Sequence, residues 1–270
     1  MTKKIINNVR IENDLVSKKR NDNILELYDY LDISNFDNYP EVISVTEKEI
    51  NSKYINQSKY HEITEGIEII KTMSKLHSKT IFYKDVSKNK YKEIYNKILG
   101  NIEYLKQYYE EMIEDIETEV YMSPSHYLFA RNYSIIMNSI NYTTNELKKW
   151  YKLVENKTKE RVCVVHNNIK KDHFIKGDKN YFISWDKHLV DTPILDLYKF
   201  YKKDGYKMDF KYLLNEYCNN FELLPEEKKL FFILINIPPK IEEKEEQLLN
   251  TIYIKDTFKY IYKSYSIVKD

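Results

Sequence analysis

The sequence predicts an α+β protein in which a small strand-containing N-terminal part precedes a large helical part. Before residue 60, apolar residues occur in short alternating segments that are typical of β-strands. From residue 64 to residue 155 they recur at steps of three and four, which is typical of amphipathic helices. Between residues 162 and 186, short apolar runs alternate with polar turns, which predicts a second group of strands.

The N-terminal part is expected to contain short strands, one helix and one β-hairpin. Residues 1–20 show only sparse alternation, which favours short strands at most. Asp22 or Asn23 can cap the helix that follows. Residues 42–45 and 53–55 flank a charged turn and predict the hairpin.

The helical part is expected to contain several helices of different length. A first helix follows Gly66 and ends at His77, which is expected at the surface or in the helix cap. Ser123, followed by proline, begins another helix, and Thr143 with Glu146 forms a capping box that predicts a separate one. Four or five short helices should follow the second group of strands. The strongest periodicity predicts a long helix through Tyr91, Ile94, Ile98, Ile102, Leu105, Tyr109, Met112 and Ile116.

Composition and charge argue against several classes of protein. The 270 residues are 42% hydrophobic and 31% charged, which is a globular composition. The 43 Lys and Arg residues nearly balance the 42 Asp and Glu residues, so binding to nucleic acid through net charge is not expected. Cys163 and Cys218 lie far apart in apolar contexts, which predicts no disulfide framework. No signal-peptide pattern and no apolar run of membrane length is present, so a cytoplasmic protein without membrane binding is expected.

The most informative segment spans residues 162–186. It reads VCVVHNNIKKDHFI over residues 162–175 and YFISWD over residues 181–186. An apolar strand leads into a polar loop that His166 opens. A second short strand, a turn at Gly177 and a further strand follow.

This segment resembles the active-site loop of the aminoglycoside phosphotransferase and choline-kinase superfamily, whose pattern is H-x-D-x-x-x-x-N, then a hairpin, then I-D. The long helices predicted between residues 88 and 155 are similar to those of the spore-coat, CotS-type branch. The resemblance implies a protein-kinase-like fold with two lobes. Its N-lobe would be reduced and span residues 1–62, and its helical C-lobe would span residues 63–270.

The resemblance places the functional positions of the family on particular residues. The leading His of the pattern falls on His166, which implies a residue that braces the loop. The catalytic Asp falls on Asn168, and the metal-binding Asn and Asp fall on His173 and Ser184. A later structural Asp falls on Asp196, which is expected to cap a helix that begins at the next residue.

The carboxylates that phosphoryl transfer requires are missing at these positions. The amide of Asn168 is neutral and cannot accept a proton as a base. Ser184 offers a weak neutral ligand, and His173 is a poor ligand for Mg²⁺, which prefers oxygen atoms. A loop that covers phosphates also needs glycine, and the first glycine of the chain is Gly66.

The ion pair that positions the phosphates in the family would fall on Lys18 or Lys19 with Glu26. Glu26 lies on the predicted first helix, where the family carries its helix glutamate. Lysine and glutamate are also common elsewhere in this sequence.

Three functions are compatible with these observations. The first is a non-catalytic kinase-fold protein whose cleft binds a protein partner or a small molecule. Such a protein could also serve as a scaffold, for example in spore-coat assembly. The second is an active phosphotransferase of small hydroxyl compounds that uses ATP and Mg²⁺. In it, His173 and Asp186 form a displaced metal site with Asp172, although solvated loop residues are the simpler interpretation. The third is a helical interaction protein that binds a partner through residues 88–118.

Overall fold

The computed structural model describes residues 4–6, 9–57 and 62–268. A small β-sheet region at the beginning of the chain is followed by a large helical part. The predicted α+β class, with a short β-containing N-terminal part, is therefore confirmed.

The chain divides into two compact units. The first combines Met1–Phe82 with Arg161–Glu222, so it contains the N-terminal sheet and the candidate loop. The second combines Tyr83–Glu160 with Leu223–Asp270 and is mainly helical. The lobe boundary predicted at residue 62 falls inside the first unit and stays a prediction.

Five short strands form the N-terminal sheet: β1 (Lys4–Ile6), β2 (Val9–Glu12), β3 (Leu15–Lys19), β4 (Val42–Val45) and β5 (Glu49–Lys53). They are antiparallel and follow the order β1-β2-β3-β5-β4. Asn13 and Asp14 both adopt positive φ and make the two-residue turn between β2 and β3, a conformation that these residue types tolerate. Of the predicted strand region 1–20, residues 1–3 and 7–8 lie outside the described residues.

The helix predicted after Asp22 or Asn23 is confirmed as α1 (Asp22–Ile33). Its cap is Asn21, because the side chain of this extended residue accepts a hydrogen bond of 3.1 Å from the backbone N–H of Asn23. Both predicted caps lie within the helix itself.

The predicted hairpin is formed by β4 and β5, but its second strand begins at Glu49 and not at Lys53. Thr46 closes a shorter turn than expected, because its Oγ1 accepts hydrogen bonds from the N–H groups of Lys48 (3.4 Å) and Glu49 (3.0 Å). The strand starts directly after this turn, and Ile50 is its buried residue.

The first unit also contains the helices α2 (Glu62–Lys79), α5 (Ile194–Lys203) and α6 (Phe210–Asn220). The remaining strands of the chain are β6 (Phe82–Asp85), β7 (Lys159–Val165), β8 (Phe174–Lys176), β9 (Asn180–Phe182) and β10 (Leu189–Asp191). Helix α2 packs against α6. Gly66 permits this packing, since a Cβ atom there would lie 3.3 Å from the Cδ1 atom of Leu213 on α6, and 2.6 Å from the Sδ atom of Met208 just before it.

The second unit is built around helix α4 (Pro124–Val154), which packs against α3 (Lys90–Glu117), α7 (Pro225–Asn236) and α8 (Gln247–Val268). Helix α3 is the predicted long periodic helix. Ser123 caps α4 as predicted, because its Oγ accepts a hydrogen bond of 3.2 Å from the N–H of His126.

The separate helix predicted at Thr143 is wrong, because α4 continues through this position without a break. The hydroxyl of Thr143 donates to the carbonyl groups of Ser139 (2.9 Å) and Ile140 (3.0 Å). A threonine inside a helix can satisfy its hydroxyl in this way, so it is no longer available as a cap.

Within the part of the chain that the structure describes, no helix combines the length and the apolar character that crossing a bilayer would require.

His126 connects the first turn of α4 to two other segments of the second unit. Its Nδ1 donates to Glu119 Oε1 (2.6 Å) and its Nε2 donates to Glu243 Oε1 (2.8 Å). Both ring nitrogens donate at once only in the imidazolium form. Burial lowers the pKa of His126, but the two carboxylates outweigh it, and the pKa is raised above its usual value.

We expect the stabilisation from the two hydrogen bonds of His126 to Glu119 and Glu243 to be lost as the pH rises. The folded pKa of His126 lies above the unfolded value of about 6.5, so the stabilisation is complete below that pH and disappears as the pH passes the raised folded value. An NMR titration should give a higher pKa for His126 in the wild type than in the Glu243→Gln variant. Glu242→Gln is the control and should leave it unchanged. A His126 pKa at or below about 6.5 in the wild type would contradict the charged hydrogen bonds of His126 to the two glutamates.

Candidate functional site

The segment of residues 162–186 folds as the sequence predicts. Strand β7 ends at Val165 and pairs with β10 in antiparallel fashion. The loop that His166 opens ends in one turn of 3-10 helix, Lys171–His173, and β8 and β9 then form a hairpin around Gly177. The loop therefore lies between two antiparallel strand pairs of the first unit.

Asp196 holds the beginning of this loop. Its carboxylate is completely buried and accepts hydrogen bonds from the backbone N–H groups of His166 (2.8 Å) and Asn167 (2.6 Å). The predicted role as a cap is wrong, because α5 begins at Ile194 and Asp196 lies in its first turn. There the partial positive charge of the helix N-terminus favours a carboxylate.

His77 is the third partner of this carboxylate. It was expected at the surface or in a cap, but its side chain is completely buried. Its Nε2 donates to Asp196 Oδ2 (3.2 Å), and its Nδ1 accepts from the hydroxyl of Tyr217 (2.6 Å). The periodicity contains a signal for this position, since His77 follows Ile70 and Met73 on the buried face of α2.

Asn167 adopts a left-handed backbone conformation with φ of 62°, which asparagine tolerates better than most residues. Its Nδ2 donates to the carbonyl of Lys187 (2.7 Å). The ammonium group of Lys199 donates to the backbone carbonyl of Asn167 (3.0 Å) and to its Oδ1. Sequence analysis missed both Asn167 and Lys199, because their contacts join positions far apart in the chain.

His166 is buried within the loop and connects it to the end of β9. Its Nε2 donates to the carbonyl of Ile183 (2.9 Å), and its ring lies 4.5 Å from that of Trp185, which is buried in the core as expected. Burial lowers the pKa of His166 to about 4, so the ring is neutral at physiological pH. Its Nδ1 is buried without a partner among the described residues.

The three positions to which the resemblance assigns chemistry carry neutral groups. The amide side chain of Asn168 makes no hydrogen bond to a described residue, while its backbone carbonyl accepts from His173 Nδ1 (2.8 Å). Burial lowers the pKa of His173, which favours its neutral form. Ser184 has φ of 65° and begins the short turn that contains Trp185.

A cavity of about 240 Å³ lies between the N-terminal sheet and this loop segment. Side chains of the sheet, among them Val16 and Ile50, line one side. Ile183, Ser184 and Trp185 line the other. Most of the lining is apolar, so the cavity can cover an apolar group.

Lysines dominate the charge of this cavity. Lys18, Lys19 and Lys53 line it together with the carboxylate of Asp186. Burial and the nearby charge of Asp186 raise the pKa of Tyr28, which also lines the cavity.

The expected pair of Lys18 or Lys19 with Glu26 is not formed among the described residues. Glu26 is exposed on α1, and neither lysine makes an ion pair with it. The two lysines of β3 face the cavity and the glutamate does not line it.

The residues of the site do not fit a magnesium ion. Among the described residues, no group of three or more His, Cys, Asp and Glu side chains is arranged to hold a metal. Asp172 is exposed and pairs with Lys170 (3.2 Å). Asp186 lines the cavity, but its neighbours in the proposed displaced site do not complete an oxygen-rich ligand set of the kind Mg²⁺ requires.

Several solved phosphotransferase structures have a similar fold. An aminoglycoside phosphotransferase from Alicyclobacillus acidocaldarius subsp. acidocaldarius DSM 446 gives a TM-score of 0.72 over 99% of this chain and 91% of that chain. The chain has the aminoglycoside phosphotransferase fold. A spectinomycin phosphotransferase in complex with AMP gives a TM-score of 0.58 over 100% of this chain and 94% of that chain. The sequence identities are 7% and 14%.

At such identities the likeness of the chain to these solved structures is a likeness of fold alone. No protein-family model matches the sequence, and no curated protein matches it either. The predicted protein-kinase-like fold is confirmed, and the predicted resemblance to this superfamily is confirmed at the level of fold. The closer resemblance to the CotS-type branch stays a prediction.

We expect Asp196→Asn to destabilise the protein by roughly 2–4 kcal/mol, because it replaces a buried anion that accepts two N–H bonds with a group that also donates. Urea unfolding of both proteins measures the difference. Asp172→Asn makes the same change at an exposed position of the same loop and should stay within about 0.5 kcal/mol of the wild type. Equal stabilities of the two variants would show that Asp196 does not hold the loop.

Proposed function

We propose that this chain is a kinase-fold protein that binds a ligand in its cleft and does not transfer phosphate. The observation that supports the proposal best is the contrast between the loop backbone and its side chains. Asp196 and Lys199 hold the backbone of the loop in place. The positions that the resemblance assigns to the base and to a metal ligand carry Asn168 and Ser184.

Each replacement removes a group that phosphoryl transfer needs. An acceptor hydroxyl must lose its proton to a base, and the amide of Asn168 is not basic. Magnesium ions that neutralise the phosphates need oxygen ligands, mainly carboxylates, whereas His173 offers a neutral nitrogen and Ser184 a neutral hydroxyl. Since the base and the metal ligands are replaced together, the remaining positioning contacts would not sustain useful turnover.

The lining of the cavity favours a ligand with a planar apolar body and an anionic group. Apolar side chains on both sides can cover a ring system. Lys18, Lys19 and Lys53 outnumber the carboxylate of Asp186, so the described lining has a net positive charge. A nucleotide has both features, and the spectinomycin phosphotransferase of similar fold was solved with AMP. Lysine ammonium groups would hold its phosphates without a divalent cation.

A second candidate is an active phosphotransferase of a small hydroxyl compound with a rearranged site. The observation that favours it is Asp186, whose carboxylate lines the cavity and makes no ion pair with a described residue. Asp172 does not favour it, because this side chain is exposed and paired with Lys170. The class of substrate rests on analogy of fold alone.

The biological setting that we propose is a scaffold, in which ligand binding would stabilise the protein without turnover. The similarity of the long helices to the spore-coat, CotS-type branch supports an association with the spore coat. This part of the proposal is independent of the chemistry of the cleft.

Calorimetric titration of the full chain with AMP and with ATP, in the presence and absence of Mg²⁺, tests the proposal. We expect nucleotide binding whose affinity changes by less than about twofold on addition of Mg²⁺. We also expect no ADP formation with spectinomycin or choline as acceptor. Failure of both nucleotides to bind would rule out the nucleotide class of ligand.

Three variants sharpen this experiment. Asn168→Asp/His173→Asn/Ser184→Asp restores the ligand set that the resemblance implies, so Mg²⁺ should then strengthen ATP binding about tenfold, or 1.4 kcal/mol. Asp172→Asn is the matched control and should behave like the wild type. Mg²⁺-dependent ATP binding with ADP formation by the wild type would overturn the proposal, and loss of that activity in Asp186→Ala would support the second candidate.

A further inference from the structure

An exposed apolar surface lies on the second unit. It combines the loop between α3 and α4, the first turns of α4 and the first turns of α8. Val120, Tyr121 and Leu248 are 88%, 92% and 64% exposed. We name this surface the apolar tip and define it by Val120, Tyr121, Tyr127, Leu248, Leu249 and Ile252.

Buried hydrogen bonds join the two halves of the apolar tip. Ser125 Oγ donates to Gln247 Oε1 (3.1 Å) and accepts from Asn250 Nδ2 (3.2 Å). Ser125 and Asn250 are both buried. These contacts place the start of α4 directly beside the start of α8, so the exposed apolar side chains on both segments belong to one region of the surface.

The apolar residues of the tip are not required by the core. On α8, Asn250, Ile254 and Phe258 face inward, whereas Leu248 and Ile252 are exposed. The loop before α4 is held in place by the bonds of His126. A group of large apolar side chains that are exposed in one region and fixed in position marks an interaction surface.

The third sequence-based hypothesis predicts a partner surface on the long helix of residues 88–118, but the exposed apolar side chains lie beyond its end. Within α3, all of which is described, Tyr104 is the one large apolar side chain that is exposed. The rest of its apolar face is buried or half-buried. The exposed apolar residues follow the end of this helix, beginning at Val120.

Carboxylates are frequent in the segments next to the apolar tip. Glu117 precedes it, and the segment before α8 carries Glu242, Glu245 and Glu246 with two cations, Lys240 and Lys244. Glu119 and Glu243 lie there as well and are paired with His126. Two copies of this surface would bring acidic rims together, and an anionic membrane would repel them. A partner with positive charge around apolar side chains would be attracted.

We propose that the apolar tip docks a basic amphipathic helix of a partner protein. Apolar side chains on one face of that helix would cover Tyr121 and Leu248, and its flanking Lys or Arg residues would meet the acidic rim. The surface lies in the second unit, and the cavity lined by lysines lies in the first.

The probe for this proposal is a fluorescent amphipathic helix of about 18 residues made of Leu and Lys, with a Leu and Glu peptide as its charge-reversed counterpart. The full chain should bind the Lys peptide by fluorescence anisotropy and should not bind the Glu peptide. Tyr121→Ser/Leu248→Ser should weaken binding of the Lys peptide about tenfold. Ile33→Ser/Ile43→Ser removes two exposed apolar side chains from the first unit. This control should change the affinity for the Lys peptide less than about twofold.

Equal loss in both variants, or equal binding of both peptides, would overturn the proposal. Sedimentation velocity tests whether the apolar tip binds a second copy of the chain. Self-association of the wild type that is lost in Tyr121→Ser/Leu248→Ser would overturn the proposal as well. Because all the substituted side chains are exposed, the variants should retain the thermal unfolding transition of the wild type. Nucleotide titration of the same variants separates this result from ligand binding in the cavity, because their affinity for nucleotide should not change.

Discussion

The buried carboxylate of Asp196 is the interaction on which the candidate site depends. Burying a charged group costs free energy unless its hydrogen-bonding atoms find partners in the protein. Here two backbone N–H groups and the ring of His77 donate to the carboxylate. The same bonds fix the chain at the point where β7 becomes the loop. Lys199 then holds the left-handed Asn167, and His166 connects the loop to Ile183. The backbone geometry of the loop therefore rests on groups that lie outside the reacting positions.

This arrangement separates the geometry of the site from its chemistry. Asp196, supported by His77, and Lys199 hold the loop without using the side chains of Asn168 and Ser184. Under the proposed function, the fold would keep its cavity while neutral side chains stand where the resemblance places charged oxygen ligands. The lysines that line the cavity then become the main charges available to a ligand, and they favour an anionic one.

The two units carry opposite kinds of surface. In the first, a cavity between short strands is lined by apolar side chains and lysines, which suits a small anionic ligand. In the second, large apolar side chains stand exposed among glutamates, which suits a basic protein segment. A nearly balanced net charge for the whole chain conceals this difference, since positive and negative groups are distributed unevenly along it.

The sequence by itself determined the features that depend on neighbouring residues. The spacing of apolar residues predicted α3, Ser123 with its proline predicted the start of α4, and the alternation in residues 162–186 predicted the loop with its strands. Local patterns suffice there because helix periodicity, caps and tight turns are set within a few positions.

Only the tertiary structure decided the features that depend on distant partners. His77 and Asp196 lie 119 positions apart, so neither the burial of the histidine nor the true role of the aspartate follows from its neighbours in the chain. Thr143 was predicted as a cap because nothing in the neighbouring residues shows that the helix continues through it. Lys199 lies on α5 and contacts the loop only in the folded chain. Each of these roles is fixed by hydrogen bonds that form when remote segments pack together, and no local pattern encodes that pairing.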